Sequence, residues 1–257
     1  MLPQYERLGG SKPIFSVPFG RFAVIVVSLP LFSFIFCVLY SVLFYFERST
    51  ATHCHVFNLL PSISAAIGNY QPQRIVWQVA IVTHFLPRLL VARMYLKHYD
   101  DIIRRNRRGF AYLAVMLNVL ENFALLGLSL FTSIDNYEIH KNCFCTFIGA
   151  SETYMLISYF LNKNGRKIPE LTKIEEKSLK YKQRLFIINV ICFALAGYFF
   201  LRHNNYCEPM IYTFFALFEY IVVFTNMGFH MTAFWDFNDL SLSFDWLYGF
   251  HFIPTGS

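Results

Sequence analysis

Six apolar runs, each near the length of a membrane-crossing helix, dominate this chain: residues 22–46, 73–96, 110–131, 143–161, 185–201 and 209–235. At about 1.5 Å per residue, about 20 apolar residues cover the hydrocarbon core of a bilayer. In that solvent each backbone polar group needs a partner inside its own segment, which favours helices. Composition agrees: 56% of the 257 residues are hydrophobic and 15% charged, too oily for a soluble domain of this size. The expected fold class is all-α, a bundle of six transmembrane helices with a membrane domain over residues 22–235. The first run is too long for the apolar region of a cleavable signal peptide and reads as an anchor that stays. Pro30 is expected to bend it. The fifth run is the shortest; without it the chain has five spans and its C-terminus changes sides.

The basic residues set the orientation. Most of the 22 Lys and Arg fall in the N-terminal tail (residues 1–21), in the segment around Arg104–Arg108 and in the segment around Lys163–Arg184. With six spans these three regions share one side, and the positive-inside rule makes it the cytosol. Both termini are then cytosolic, with the tail at 236–257. The loops near 47–72, 132–142 and 202–208 face the lumen or exterior. Because the positive residues behind the net charge of +6 are concentrated in the N-terminal tail and the two basic segments, that charge does not signal nucleic-acid binding. The tail, aromatic and without Lys or Arg after residue 236, either rests on the interface or lacks order. The apolar portion at 57–67 suits a segment lying against the membrane surface.

Ionisable residues inside spans are costly in hydrocarbon and mark sites, pathways or buried pairs. His84, Glu121, Glu152 and Glu219 come from four runs and fall at similar depth. Helical spacing extends these faces: His84 with Arg88, Asn118 with Asn122, and Glu219 with Asn226 and His230. Arg93 lies on the same run as His84. Two readings stay open: Arg88 and Arg93 pair with Glu121 and Glu219 to staple helices, or the polar faces line one inward cavity. On the second reading His84, Glu121, Glu152, Glu219 and His230 are the candidates for chemistry, and Arg88, Arg93, Asn122, Asn226, His53, His203 and Asp236 the candidates for a lipid cavity.

Cys37 and Cys192 lie inside spans and read as packing residues. Cys54 and Cys207 lie in lumenal loops, where oxidation is possible, and are the candidate disulfide. No CxxC or HxxxH completes a zinc site around His53-Cys54-His55, so no metal is expected, and no motif calls for a cofactor. There is no GxSxG elbow, HExxH or P-loop. His230 and Asp236 are spaced one residue wider than the His-x4-Asp of glycerolipid acyltransferases.

Particular segments resemble a known family. Thr52-His53-Cys54, Leu60-Pro61-Ser62, Pro72-Gln73-Arg74 with Trp77, and Gln183-Arg184-Leu185-Phe186-Ile187-Ile188-Asn189 are similar to members of the FRAG/DRAM/Sfk family. So are Arg202-His203-Asn204 with Tyr206-Cys207-Glu208, Glu219-Tyr220 with Thr225-Asn226-Met227, His230-Met231-Thr232-Ala233 and Trp235-Asp236-Phe237. The likeness covers roughly residues 15–237. It implies a multi-pass protein of the Golgi or endoplasmic reticulum membrane that acts in lipid remodelling of GPI anchors, needed when a saturated chain is put back on lyso-GPI. The implied partners are GPI lipid or GPI-anchored proteins. The chain either takes part in the acyl transfer or, as a non-enzymatic scaffold, presents lyso-GPI to a separate acyltransferase. The resemblance supplies no catalytic residue.

Overall fold

The computed structural model describes residues 14–68, 70–246 and 249–255. The first part of the tail at 1–21, with Arg7 and Lys12, lies outside the described residues. Along the chain come β1 (Phe15–Pro18), α1 (Phe19–Phe44), α2 (Phe46–Ser49), α3 (Ile63–Gly68), α4 (Gln73–Ile102) and α5 (Arg108–Leu130). They are followed by α6 (Tyr137–Asn164), α7 (Lys173–Tyr206), α8 (Ile211–Met231), α9 (Ala233–Asp236), β2 (Leu240–Asp245) and β3 (Gly249–Pro254). Six helices, α1 and α4 to α8, are long and apolar enough to cross a membrane. The shortest apolar run lies in the longest of them, the 34-residue α7.

The helices α4, α6 and α7 outrun their apolar runs because a formed helix extends cheaply into polar sequence and caps decide where it begins. Asn136 accepts a hydrogen bond from Ile139 N and starts α6. Thr172 and Glu175 form a reciprocal capping box at the start of α7, satisfying two otherwise unpaired donors. Cys207 ends α7 in the left-handed region, φ 51°, turning the chain toward α8. The helix α1 runs on through Pro30.

In the bundle α5 packs along α6, α7 along α8, and α4 between α1 and α5. The two basic segments meet: Arg104 N donates to Gly165 O, Lys167 N to Ile102 O, and Lys167 Nζ to the carbonyls of Asp100 and Asp101 at the end of α4. A cation there complements the negative end of the helix dipole. At the same end Phe19, Tyr99, Ile103, Leu161 and Phe237 share one core cluster.

Of the two expectations for the C-terminal tail, lack of order does not hold for its described residues. Its β2 and β3 form a hairpin, and β1 adds to β2, giving an antiparallel sheet ordered β1-β2-β3. Phe252 of β3 packs against Phe19 and Phe22 of α1. The alternation Leu240-Ser241-Leu242-Ser243-Phe244 suits a strand. The segment at 57–67 divides in two, with Phe57 and Leu59 exposed. Its helical part, α3, folds into the bundle and buries Ala66, Ile67 and Gly68.

Candidate functional site

The short helix α3 is fixed from several sides. Ile63 N donates to Glu219 Oε2 at 2.9 Å, Tyr220 Oη to Pro61 O at 2.5 Å, and Ser41 Oγ to Ala66 O at 3.0 Å. A Cβ on Gly68 would stand 3.2 Å from Thr132 Cβ, so glycine permits the close approach of α3 to the end of α5. Glu219 thus serves as the acceptor for a backbone amide near the start of α3.

Beneath α3 lies a cavity of about 340 Å³ to which all six long helices contribute, within the range of ligand pockets, about 300–1,000 Å³. Its walls are largely apolar: Ile67, Trp77 and Ile81 face Leu125, Phe144, Phe147, Phe193, Ala196 and Val222. His84, Arg88, Asn226 and His230 line its deep end; Ser64 and His140 line the end beside α3. Among the described lining residues, only Phe193 and Phe200 are exposed, both on α7.

The deep end is a connected polar cluster. Glu121, fully buried, is flanked at Oε1 by His230 Nε2 at 2.8 Å, Asn226 Nδ2 at 3.0 Å and Arg88 Nη2 at 3.4 Å. Arg88 also donates to Asn118 Oδ1 at 3.0 Å and reaches His230 Nε2 at 2.9 Å. Since Nε2 holds at most one proton, His230 either donates to Glu121 or accepts from Arg88. Tyr154 stacks on its ring at 5.4 Å, and Asn226 donates to Ser151 Oγ at 2.6 Å. The Arg88–Glu121 pair is buried on both sides, and its mutual satisfaction is what makes two charges tolerable there. His84 donates from Nδ1 to Val26 O at 2.8 Å, which leaves Nε2 without a proton in the neutral ring.

The structure therefore brings His84, Arg88, Glu219, Asn226 and His230 to one cavity, with Glu121 bonded behind its floor. Asn122 donates to Phe85 O and joins α5 to α4. Arg93 is exposed on α4. Glu152 lies outside the cavity lining; both its carboxylate oxygens are buried without a hydrogen-bond partner among the described residues. It sits about 100° round α6 from Ser151, which reaches the cluster. Asp236 is held elsewhere, by Lys182 Nζ at 2.5 Å, Ser178 Oγ at 2.5 Å and Tyr95 Oη at 2.6 Å. Its carboxylate is thus committed to α7 and α4, not to His230.

Near the other end of the bundle Cys54 and Cys207 are bridged, with Cα atoms 5.2 Å apart. His53 Nε2 lies 3.4 Å from Cys54 Sγ, and the buried His203 contacts Thr52 Oγ1 at 3.0 Å. His53, Cys54 and Cys207 place ligand-type atoms within 4.8 Å of one another, but bridged sulfurs are not the thiolates that zinc takes. Asp135 receives both arms of the Arg74 guanidinium, at 3.2 and 2.5 Å. Those bonds and a further one from Thr132 hold its carboxyl below the usual carboxylate range.

Sequence reasoning missed Ser64 and His140. Ser64 Oγ and His140 Nε2 are 2.9 Å apart, and His140 Nδ1 is 2.8 Å from Phe131 O. A carbonyl only accepts, so Nδ1 carries the proton and Nε2 accepts from the serine hydroxyl. No short motif marks a pair separated by 76 positions.

Residues 18–240 match the Frag1/DRAM/Sfk1/Cwh43P N-terminal domain. The chain is 56% identical, over 98% of each chain, to a Drosophila melanogaster protein named post-GPI attachment to proteins factor 2. It is 44% identical to a Xenopus tropicalis protein named acyltransferase PGAP2, over 91% of this chain and 93% of that one. A more distant relative, protein cwh43 of Schizosaccharomyces pombe, is 25% identical over 70% of this chain and 17% of its own length. No solved structure matches. The matched domain spans the bundle, the cavity and the polar cluster alike, and the chain belongs to the Frag1/DRAM/Sfk1/Cwh43P family.

Proposed function

We propose that this chain acts in the lipid remodelling of GPI anchors after their attachment to protein, at the step where an acyl chain is restored to lyso-GPI. One observation carries the reading: an apolar cavity in a six-span bundle, closed at its deep end by Arg88, Asn226 and His230 and roofed by α3. Apolar walls suit an acyl chain, and a few fixed polar groups suit the fixing of its depth. The names of the relatives, post-GPI attachment to proteins factor 2 and acyltransferase PGAP2, support the same assignment.

The topology proposed with it has both termini, the sheet and the two joined basic segments in the cytosol, and the disulfide and α3 in the lumen of the Golgi or endoplasmic reticulum. The clustering of basic residues on the sheet-bearing end supports it through the positive-inside rule. Lyso-GPI in the lumenal leaflet then meets the cavity at its α3 end. A second reading, presentation of lyso-GPI to a separate acyltransferase, is favoured by the cluster around Glu121, whose groups are engaged with one another as in a structural staple. Cells lacking the protein test the assignment. Their GPI-anchored proteins should carry lyso-lipid or be lost from the surface, with restoration by the intact chain. Normal GPI lipid by mass spectrometry in such cells would refute it.

A further inference from the structure

We propose that Ser64 and His140 form a nucleophile–base pair at the α3 end of the cavity, and that Ser64 carries the acyl group as an ester during transfer. The proposal takes its lipid acceptor from the function proposed above, while the pair itself rests on geometry.

A serine hydroxyl is a weak nucleophile until a base lies within hydrogen-bond reach and a third group holds that base in the right tautomer. All three parts are present. Ser64 Oγ is 2.9 Å from His140 Nε2, and the Phe131 carbonyl, 2.8 Å from Nδ1, keeps the proton on the far side of the ring. The orienting group is a backbone carbonyl where hydrolases commonly use a carboxylate. Each member is fixed by the fold: the Asn136 cap sets His140 in the first turn of α6, and the Glu219 and Tyr220 bonds hold the segment before Ser64. Both side chains line the cavity, so an acyl chain inside it would place an ester carbonyl beside Ser64.

The chemistry balances without redox change. Ser64 Oγ attacks the carbonyl of a glycerolipid ester as its proton passes to His140 Nε2. The ester C–O bond breaks, the leaving alkoxide takes that proton, and a lysolipid departs, leaving acyl-Ser64. The hydroxyl of the acceptor lipid then attacks the acyl-serine and gives its proton to His140. Ser64 recovers a proton as the new ester leaves. The donor class is a glycerolipid ester of the same leaflet.

The test uses the purified full chain in lipid nanodiscs and a fluorophosphonate bearing a long alkyl chain. Wild-type protein should be labelled on the peptide containing Ser64. Ser64→Ala should abolish labelling. His140→Gln, which still accepts a hydrogen bond but cannot take up the proton, should slow it about 10²-fold, in keeping with the contribution of a general base. A thermal unfolding midpoint equal to that of the wild type certifies folding of each variant. Absence of label on folded wild-type protein, labelling unchanged in Ser64→Ala, or equal rates in His140→Gln would each overturn the pair. Labelled Ser64 in a protein whose loss leaves GPI lipid unchanged would sustain the pair and refute the GPI assignment. An unlabelled protein that cells still need for remodelling would do the opposite.

Discussion

Glu121 and His230, 109 positions apart, meet at 2.8 Å inside the bundle, with Arg88 beside both. This contact closes the deep end of the cavity and joins α5 to α8, while Arg88 ties in α4. Neutralising one partner leaves the other charge buried without compensation, at a cost of about 3–5 kcal/mol. Glu121→Gln is therefore expected to lower the unfolding midpoint of the detergent-solubilised protein and its accumulation in cells. Adding Arg88→Met should recover much of the loss, since the pair is then removed together. An unchanged midpoint in Glu121→Gln would contradict the reading.

The Lys182–Asp236 pair, with 1% and 7% of the two side chains exposed, links α7 to α9 just before the sheet. Asp236→Asn is expected to destabilise the protein by about 3–5 kcal/mol and to loosen the C-terminal hairpin. Hydrogen exchange over residues 240–254 reports this, with faster exchange expected there than around α3.

The Cys54–Cys207 bridge closes a long loop, with a sequence separation of 153. Its loss removes a constraint on the unfolded chain worth about 2–5 kcal/mol in small secreted domains. Here the bundle independently holds both ends, through contacts such as Met210 N to Phe57 O and Leu59 N to Thr213 Oγ1. Replacing both cysteines by serine should lower the thermal midpoint at the small end of that range, without loss of the fold. Aggregation of the double variant during solubilisation would show that the bridge matters more.

The proposed topology gives a direct prediction. An inserted glycosylation acceptor at Asn136, at the start of α6, should be modified, and one at Lys173, at the start of α7, should not. The reverse pattern would invert the bundle and put the α3 end of the cavity in the cytosol.

The six spans were legible because length and apolarity are one-dimensional properties, read along the chain without knowing its partners. Polar side chains inside spans were legible as exceptions, and His84, Arg88, Glu219, Asn226 and His230 do converge on the cavity. Depth alone did not locate Glu152, because depth says nothing of azimuth around α6. Spacing put Asp236 near His230 in sequence, but six residues along near-helical backbone carry it about 240° round from His230 and present its carboxylate to Lys182. The sheet escaped because the tail was judged by its lack of charge rather than by the alternation after Leu240. Ser64 and His140 were illegible for another reason. One lies on a six-residue helix and the other in the first turn of α6, and their contact exists only once the loop from Phe131 to Asn136 has folded.

Reconstitution tests the central claim most directly. The purified chain, with its disulfide intact, would be placed in liposomes with lyso-GPI and a glycerophospholipid whose acyl chain is isotopically labelled. The account predicts that lyso-GPI gains one labelled chain, that the donor becomes a lysolipid in equal amount, and that Ser64→Ala prevents both. Lyso-GPI left unchanged by the folded protein would contradict the claim that the chain performs the transfer, and would favour presentation to a separate acyltransferase.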